Sequence, residues 1–387
     1  MRSNYKKLGE YIRQVDERNS DLSITNLQGV SITKEFVPSI ANIIGTDLST
    51  YKIVRTGQFA YGPVTSRNGD KVSIALLKGE DCIISSSYLP FEVFKPDELL
   101  PEYLMLWFMR PEFDRYARFM SNGSAREVFD WDCMCGVELP VPPIDEQRKI
   151  VHDYKVITDR IEVLQKINKT IEDIVNLLFY NIIINNKKYN EYTVFEFGQY
   201  PSVCSIKKMS EIVDVRDGTH DSPSAVETGH KLITSVHLNS YSVNKSEAYA
   251  ISDKDYNEIN KRSVVNTWDI LMSMIGTVGR LSLVTDAPVD FAIKNVALFK
   301  SSLLPQDVWL YLFAYLNSSF VNRYLSSFVS GSTQSYVSLE ALRKMPVIIP
   351  LDSDLQLFIK TVKPLYQLLI SSEKEINCLK SINFKGA

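Results

Sequence analysis

The chain has 387 residues, 45% of them hydrophobic and 11% aromatic, which is enough for two or three domains with apolar cores. Its formal net charge of −3 gives no overall basic character, so any nucleic-acid binding must depend on local patches. Five cysteines, an odd number, favour a reduced cytoplasmic protein without disulfides. The most apolar stretch, VNLLFYNIII, is about half as long as a membrane helix, so no membrane association is expected.

The first 144 residues combine strand patterns, a helix pattern and polar loops. DKVSIALL and DCIISSSY predict short strands, PEYLMLWFM predicts a buried helix, and RNGD at 67–70 predicts a hairpin turn. Two loops, YGPVTSRNGD at 61–70 and SNGSAREV at 121–128, mix glycine with Ser, Asn and Arg. Glycine allows backbone N–H groups to approach a phosphate, and Arg or Asn can read base edges. Solvated turns would have the same composition.

A proline pair followed by a long apolar repeat marks the next boundary. In VPPIDEQRKIV at 141–151, Pro142 and Pro143 end the preceding structure and Asp145 is the predicted N-cap of a helix. The apolar positions that follow alternate in spacings of four and three, which is typical of a coiled-coil seam. They are Ile150, Tyr154, Ile157, Ile161, Leu164, Asn168, Ile171, Val175 and Leu178. The one polar member, Asn168, is either a buried register-fixing residue or a solvated one.

The chain is internally repeated. An offset of 208 residues places a second heptad pattern near the C-terminus, at Phe358, Val362, Leu365, Leu369, Ser372, Ile376 and Leu379. The same offset relates identical residues upstream, such as Tyr103 to Tyr311 and Pro142 to Pro350. Each repeat is therefore predicted to be a globular part followed by a long helix. Pro364 inside the second heptad is expected to kink that helix or to mark its start.

The second globular part repeats the composition of the first. DILMSMIG and VALFK predict strands and VWLYLFAYL predicts a buried helix. Three polar loops follow the earlier pattern: RDGTHDSP at 216–223, SMIGTVGR at 273–280 and SGSTQSYV at 330–337. NGSAR and GSTQS recur at one offset, just before each boundary, which favours a shared role in ligand contact.

Motifs for nucleotide and metal chemistry are missing from the sequence. There is no G-x-x-x-x-G-K-[ST] loop, no G-x-G-x-x-G and no Asn-Pro-Pro-aromatic motif, so no cofactor is expected. Cys133 and Cys135 lack a second ligand pair, so no metal is expected either. His220, His230 and His237 lie near two aspartates and give a weak hypothesis of an acid–base site.

These motifs resemble the specificity subunit of type I restriction-modification systems over essentially the whole chain. The resemblance is carried by LPVPPIDEQRKIV at 139–151, MSMIGTVGRLSLV at 272–284, SGSTQSYVSLEALRKMPVIIP at 330–350 and the two repeated helices. It implies an α+β fold with two repeated globular target-recognition domains, separated by two long helices that pair as an antiparallel coiled coil. The expected domains are residues 1–144 and 196–351, with a central spacer helix and linker at 145–195 and a distal spacer helix at 352–387. The second junction, PLDSDLQLFI, departs from the family pattern because it lacks Pro-Pro and Glu-Gln-Arg.

The resemblance also implies a function without catalysis. Such a subunit reads a bipartite site in double-stranded DNA, docks methyltransferase subunits, here expected in two copies, and is joined by restriction subunits that carry the motor and nuclease. S-adenosylmethionine and ATP would be bound by those partners. The expected DNA-contacting residues are Ser66, Arg67, Asn68, Asn122, Ser124, Arg126, Thr219, His220, Thr277, Arg280, Ser332, Thr333, Gln334 and Ser335.

Two other interpretations remain open from sequence alone. The acidic balance suits a coiled-coil scaffold for protein assembly that has no sequence-specific DNA binding. A nuclease or methyltransferase with an active site around His220 and Asp221 is the second alternative.

Overall fold

The computed structural model describes residues 5–40, 45–66, 69, 71–121, 127–329 and 336–382. The chain divides into two compact units, one extending to Asp159 and the other comprising Arg160–Ile382. Both units mix helices with short strands, as the composition of the repeats predicted.

The first unit contains ten strands and three helices among its described residues, followed by the start of a long helix. The strands are β1 (Tyr5–Lys7), β2 (Ile12–Gln14), β3 (Gln28–Val30), β4 (Phe36–Pro38), β5 (Lys52–Val54), β6 (Phe59–Tyr61), β7 (Ile74–Leu76), β8 (Cys82–Ile84), β9 (Leu89–Val93) and β10 (Glu138–Pro140). The helices are α1 (Pro101–Phe108), α2 (Pro111–Met120), α3 (Trp131–Cys135) and the long α4 (Ile144–Phe179), which continues into the second unit.

The second unit begins within α4, which ends in a π-helical turn at Tyr180–Ile184. Its strands are β11 (Tyr192–Phe195), β12 (Gly198–Pro201), β13 (Ser205–Lys208), β14 (Val215–Asp217), β15 (His230–Ile233), β16 (Leu238–Asn239), β17 (Ser242–Val243), β18 (Ala250–Ile251), β19 (Ile270–Ser273), β20 (Leu281–Leu283), β21 (Phe291–Ile293), β22 (Val296–Phe299) and β23 (Pro346–Ile349). Its further helices are α5 (Met209–Ile212), α6 (Asp253–Ser263), α7 (Val308–Leu316), α8 (Ser319–Val329), α9 (Leu339–Lys344) and α10 (Asp352–Ser381).

The two units share one architecture, which confirms the predicted repeat. A four-stranded antiparallel sheet has the order β2-β9-β6-β7 in the first unit and β14-β22-β19-β20 in the second. The opening strand of each unit pairs with the strand that precedes the long helix, β1 with β10 and β13 with β23. Even single contacts recur: the Tyr103 hydroxyl donates to the Pro140 carbonyl, and the Tyr311 hydroxyl donates to the Ile348 carbonyl.

Aromatic side chains fill the centre of each unit. In the first, Phe59 stacks on Phe91 with ring centroids 4.9 Å apart, and Phe108 meets Phe59 edge-on. The segments DKVSIALL, DCIISSSY, DILMSMIG and VALFK contain β7, β8, β19 and β22, and the two predicted buried helices are α1 and α7. These predictions are confirmed. The RNGD turn lies largely outside the described residues.

The junction at 141–151 is held together by one buried glutamine. Gln147 is fully buried; its Oε1 accepts from the Leu100 N–H at 2.9 Å, and its Nε2 donates to the Glu98 and Pro142 carbonyls, both at 2.8 Å. The side chain thereby satisfies backbone groups beside the start of α1 and the start of α4. The predicted N-cap is wrong: α4 already begins at Ile144, so Asp145 lies inside its first turn, where its charge suits the helix dipole.

The predicted seams are the buried faces of α4 and α10. From Leu164 to Val175 every seam residue of α4 is buried, while the charged residues Lys166, Lys169 and Asp173 off the seam are exposed. The Arg160 guanidinium donates to both carboxylate oxygens of Glu375, and Phe179 packs edge-on against Phe358 with centroids 5.8 Å apart. Because rising numbers on α4 meet falling numbers on α10, the two helices pair antiparallel.

The distal helix is anchored by an acidic residue in place of the missing Glu-Gln-Arg. Asp354 is buried; it forms an ion pair with Lys188 and accepts a hydrogen bond from the Tyr189 hydroxyl at 2.7 Å. Pro364 lies within α10, which begins at Asp352, so the proline does not mark the start of the helix.

We expect Gln147→Ala to lower the free energy of unfolding of the first unit by about 2–3 kcal/mol, because it leaves buried backbone groups without partners. Calorimetric or urea unfolding would measure the loss. Arg148→Ala is the matched control, since Arg148 forms an exposed pair with Asp145, and we expect it to change stability by less than about 0.5 kcal/mol. Equal stability of the two variants would contradict the capping role of Gln147.

Asn168 should be replaceable with a gain in stability. Its side chain is 8% exposed and its Oδ1 accepts no hydrogen bond from the described residues, so the buried-residue interpretation is confirmed. We expect Asn168→Leu to raise the free energy of unfolding by about 1 kcal/mol in urea titrations. Asn176→Leu, at an exposed position of the same helix, should leave it nearly unchanged. A destabilised Asn168→Leu variant would show that the amide makes a favourable contact.

Candidate nucleic-acid interface

In the second unit, loops distant in sequence meet at one end of the four-stranded sheet. Gly218 donates its N–H to the Val296 carbonyl, Val296 is paired with Ser273, and the Ser273 N–H donates to the Arg280 carbonyl. These four residues form one row across β14, β22, β19 and β20, whose neighbours are about 4.8 Å apart. The predicted contact residues Thr219, His220, Thr277 and Arg280 therefore lie at the same end of one sheet.

Two backbone hydrogen bonds and two side-chain contacts position Thr219 and His220. Thr219 donates its N–H to the Ile293 carbonyl at 3.0 Å and accepts from the Asn295 N–H at 3.1 Å. The His220 ring lies between Asn295 Oδ1, 2.8 Å from Nδ1, and Asp217 Oδ2, 3.0 Å from Nε2. The imidazole is 63% exposed, so the ring faces solvent from a fixed position while both of its nitrogens are engaged.

The residues that hold this loop were not predictable from the sequence. Arg262 of α6 donates to Asp217 Oδ1 at 2.8 Å and to the Gly218 carbonyl at 2.9 Å. Gly218 is required for packing because a Cβ there would lie 2.3 Å from the Ile293 carbonyl oxygen. The glycine marked a turn in the sequence, whereas Arg262 and Asn295 belong to segments with no periodic or motif signal.

The loop between β19 and β20 is closed by a serine and lies beside the end of another predicted loop. Ser273 Oγ donates to the Thr277 carbonyl and accepts from the Arg280 N–H at 2.9 Å. Val337, the last residue of the predicted loop SGSTQSYV, donates its N–H to the Met274 carbonyl at 3.0 Å. Thr277 is exposed at the turn.

The first unit brings its two predicted loops together in the same manner. Thr65 donates its N–H to the Glu127 carbonyl at 3.0 Å, Phe129 donates to the Pro63 carbonyl at 2.8 Å, and Val64 bridges Val128. This bridge is the counterpart of the Ile275–Tyr336 bridge in the second unit. Ser66 is exposed beside it. The remaining predicted contact residues lie outside the described part of the chain: Arg67, Asn68, Asn122, Ser124, Arg126, Ser332, Thr333, Gln334 and Ser335.

Arg280 lies apart from the loop pair. Its exposed side chain lines a groove bordered by α4, α10 and β16, and its guanidinium makes no hydrogen bond or ion pair with any residue that the structure describes. Two other arginines at this end of the sheet are already paired within the unit, Arg216 with Asp214 and Arg262 with Asp217.

The three histidines do not form one site. His230 stacks on Tyr256 and pairs with Asp290 and Asp253, whereas His237 accepts a hydrogen bond from the Thr234 N–H at 2.9 Å. Burial lowers the pKa of His237, so its imidazole is neutral and structural at pH 7. Within the described ranges, no group of three or more His, Cys, Asp or Glu side chains is placed to hold a metal ion.

The architecture defines a class: a duplicated protein whose two units each present a pair of polar loops and whose long helices pair with one another. The model of the type I restriction modification DNA specificity domain matches residues 204–380. The type I restriction enzyme MjaIX specificity subunit of Methanocaldococcus jannaschii is 26% identical over 300 residues, covering 75% of this chain and 68% of the relative. The MjaVIII specificity subunit of the same organism is 20% identical over 314 residues, covering 77% and 70%.

A solved structure has the same fold. The crystal structure of the type I restriction-modification system S subunit from M. genitalium superposes with a TM-score of 0.56 at 12% identity, covering 98% of this chain and 93% of that one. The comparisons confirm the resemblance predicted from the sequence: the second repeat matches the type I restriction modification DNA specificity domain, and the relatives similar to most of the chain are named type I specificity subunits. No helix among the described residues has the length and apolar character needed to span a membrane.

We expect Gly218→Ala to destabilise the second unit by about 1–3 kcal/mol, since the added methyl group must displace the Ile293 backbone. Thermal unfolding would measure this change. Gly79→Ala is the matched control because a Cβ at that position meets no atom within 4 Å. If the two substitutions lowered Tm equally, close packing of Gly218 would not explain the position of the loop.

Proposed function

We propose that the chain recognises a bipartite site in double-stranded DNA, with each globular part reading one half-site, and that it directs methyltransferase and restriction subunits to that site. The observation that supports this most directly is the repeated meeting of two polar loops, at Val64–Val128 and at Ile275–Tyr336, in units of the same sheet order. Two copies of one loop pair, with different side chains, suit two half-sites of unequal sequence.

The residue types on these loops suit both parts of DNA recognition. Serine, threonine and backbone N–H groups contact phosphates, which positions a protein on the duplex, whereas Arg, Asn and Gln discriminate bases. Arg126 and Gln334 occupy equivalent positions in the two repeats and are the proposed base readers. Ser66, Thr219, His220 and Thr277 are proposed as contacts beside them.

The proposed domains keep the boundaries expected from sequence, and the observed elements support them. Residues 1–144 and 196–351 are the target-recognition domains; they include the last strands of the two globular parts, β10 and β23, which end at Pro140 and Ile349. Residues 145–195 are the central spacer and linker, and residues 352–387 are the distal spacer, in which α10 begins at Asp352. The chain would act in the cytoplasm, where its DNA target is.

We assign no catalytic step to this chain. The relatives are named specificity subunits, and residues 204–380 match a DNA specificity domain. Both findings favour this assignment over a protein-assembly scaffold and over a nuclease centred on His220 and Asp221. His220 is held by Asp217 and Asn295 as a surface contact residue. Methyl transfer, with its S-adenosylmethionine, and ATP-driven cleavage belong to the proposed partners.

The outer face of α4 supplies the proposed docking surface for a methyltransferase subunit. Five apolar residues there are 39–60% exposed and spaced by seven, four, seven and three residues, which places them on one helix face away from the seam. They are Val156, Val163, Ile167, Ile174 and Leu177. On α10, Leu357 and Leu368 lie eleven residues apart on one face and are about half exposed. One such face on each long helix supports two methyltransferase copies.

Substitution of the two proposed base readers should relax one half-site at a time. We expect Arg126→Ala to weaken discrimination in only one half of the target, and Gln334→Ala only in the other, each by about 1–3 kcal/mol. Base-modification mapping of host DNA would identify the target, and binding of the subunit with its methyltransferase partner to half-site variants would measure discrimination.

Arg115→Ala, which removes an exposed arginine paired with Glu112 on α2, is the matched control and should leave both half-sites unchanged. Uniform weakening on all sequences would assign Arg126 to a phosphate. Unchanged binding by both variants would exclude this pair of loops from the interface.

Introducing a charged side chain on the outer face of α4 should weaken docking of the methyltransferase subunit without unfolding the helix. We expect Ile167→Glu and Ile174→Glu each to weaken association with the methyltransferase subunit about tenfold or more, because each buries a carboxylate in an apolar contact. Sedimentation or calorimetry would measure the affinity, and circular dichroism would verify helix content. Asn176→Glu, on an exposed polar position of the same helix, should bind normally. Normal docking of both isoleucine variants would place the partner elsewhere.

A further inference from the structure

A lysine and two hydroxyl groups lie together at the loop that follows β14, in the second unit. Thr219 and Lys294 form an isolated parallel bridge, which places them side by side. The Lys294 ammonium donates to Ser222 Oγ, three residues further along the loop. One residue after β21 is therefore in contact with both ends of the segment 219–222.

Lys294 leaves the backbone where the chain passes from one sheet to another. β21 belongs to the sheet of β18, β15 and β21, whereas β22 belongs to the four-stranded sheet. Asn295, which lies between those two strands, has a φ of 52°, a left-handed conformation that Asn adopts more readily than most residues. Its Oδ1 lies 2.8 Å from His220 Nδ1. The stem of the lysine side chain thus starts from a backbone position that both sheets fix.

The ammonium of Lys294 makes no ion pair with any residue that the structure describes. Its contact with Ser222 is a hydrogen bond to a neutral group, although the lysine is half-buried. The Asp217 carboxylate at the start of the loop is already engaged, by Arg262 at 2.8 Å and by His220 at 3.0 Å. An ammonium that is partly removed from water and lacks a counter-charge favours the binding of an anion.

The two hydroxyl groups beside the ammonium keep their hydrogens for another acceptor. Ser222 Oγ accepts from Lys294, and Thr219 Oγ1 accepts from the Asp221 N–H at 3.1 Å. Neither hydroxyl donates a hydrogen bond within the described ranges, and the ammonium has two further N–H donors after its contact with Ser222. Lysine ammonium groups together with Ser and Thr hydroxyls are typical contacts of DNA phosphates.

We infer that Lys294, Ser222 and Thr219 bind one backbone phosphate of the half-site that the second unit reads. This inference rests on the proposed function and adds to it a charged contact that positions the duplex without discriminating bases. It also gives a chain of net negative charge a local cation beside the proposed reading loops.

The salt dependence of binding tests whether Lys294 contacts a phosphate. The full chain with its methyltransferase partner would be titrated with the mapped target duplex at several salt concentrations. We expect Lys294→Gln to weaken binding to the target and to all half-site variants alike, by about tenfold. The slope of log K against log salt should become shallower by about 1, because one fewer counterion is released. Lys294→Arg keeps the charge and should keep the slope of the parent.

Lys231→Gln is the matched control. Lys231 is also a half-buried lysine, on the adjacent strand β15, and its ammonium donates to a neutral group, the Ala248 carbonyl, at 2.8 Å. We expect this variant to keep both the affinity and the salt slope of the parent. A change of slope equal to that of Lys294→Gln would show a general effect of charge and would overturn the inference.

A duplex with single neutral linkages locates the contact. Methylphosphonate would replace each phosphate of the two half-sites in turn. We expect one replacement to weaken binding of the parent complex about tenfold and to have no further effect on Lys294→Gln, since the cation that it faced is gone. Ser222→Ala retains the ammonium, so it should weaken binding about threefold with an unchanged slope, which tests the site in a variant with its charges intact.

The outcomes distinguish this inference from the function on which it rests. If the parent complex binds its target specifically and Lys294→Gln keeps the parent's salt slope, the phosphate contact is wrong and the proposed function stands. Relaxed discrimination in one half-site would assign Lys294 to a base and would also overturn the inference. A parent complex without any sequence preference would overturn the proposed function itself.

Discussion

In each repeat, the pairing of the opening strand with the strand before the long helix is the constraint on which the other features depend. β1 pairs with β10 and β13 with β23, and a tyrosine hydroxyl from the first turn of α1 or α7 donates to a carbonyl of each closing strand. Each globular part is thereby closed before its helix begins. The loops at the end of the sheet are therefore held by a globular part whose first and last strands are paired. The long helix starts directly from the last of these strands rather than from a flexible linker.

The two junctions reach this result by different chemistry. The first uses the neutral amide of Gln147, which satisfies three backbone groups, whereas the second uses the buried carboxylate of Asp354 with Lys188 and Tyr189. The departure of PLDSDLQLFI from the first junction is therefore a change of partner for the helix start. At both junctions a buried polar side chain lies where the chain passes from the closing strand into the long helix. Without a polar partner, buried backbone groups at such a position would remain unpaired.

Periodic features could be predicted from the sequence and long-range polar contacts could not. The seam from Ile150 to Leu178 and the helix VWLYLFAYL could be predicted from spacing and apolar content. A buried helix face requires apolar residues at regular, short intervals, and this pattern is visible in the sequence. The Asp217–Arg262 ion pair joins residues 45 positions apart in segments without a pattern, and the position of Asp354 against Lys188 depends on a fold that must exist first. Glycine-rich composition drew attention to loops that the fold brings together, yet it could not show that Arg280 lines a groove beside α4 and α10.

The pairing of β1 with β10 also orders the events of folding. It joins Lys6 to Leu139, so it closes a loop of more than a hundred residues and forms only after the chain between them has condensed. During synthesis the first globular part is complete when β10 emerges, ahead of any residue of the second. The antiparallel partner of α4 is α10, which is made last, so the seam of α4 remains exposed throughout synthesis of the second part. Leu164, Ile171 and Val175, which are buried in the folded chain, are consequently open to aggregation while it is being made.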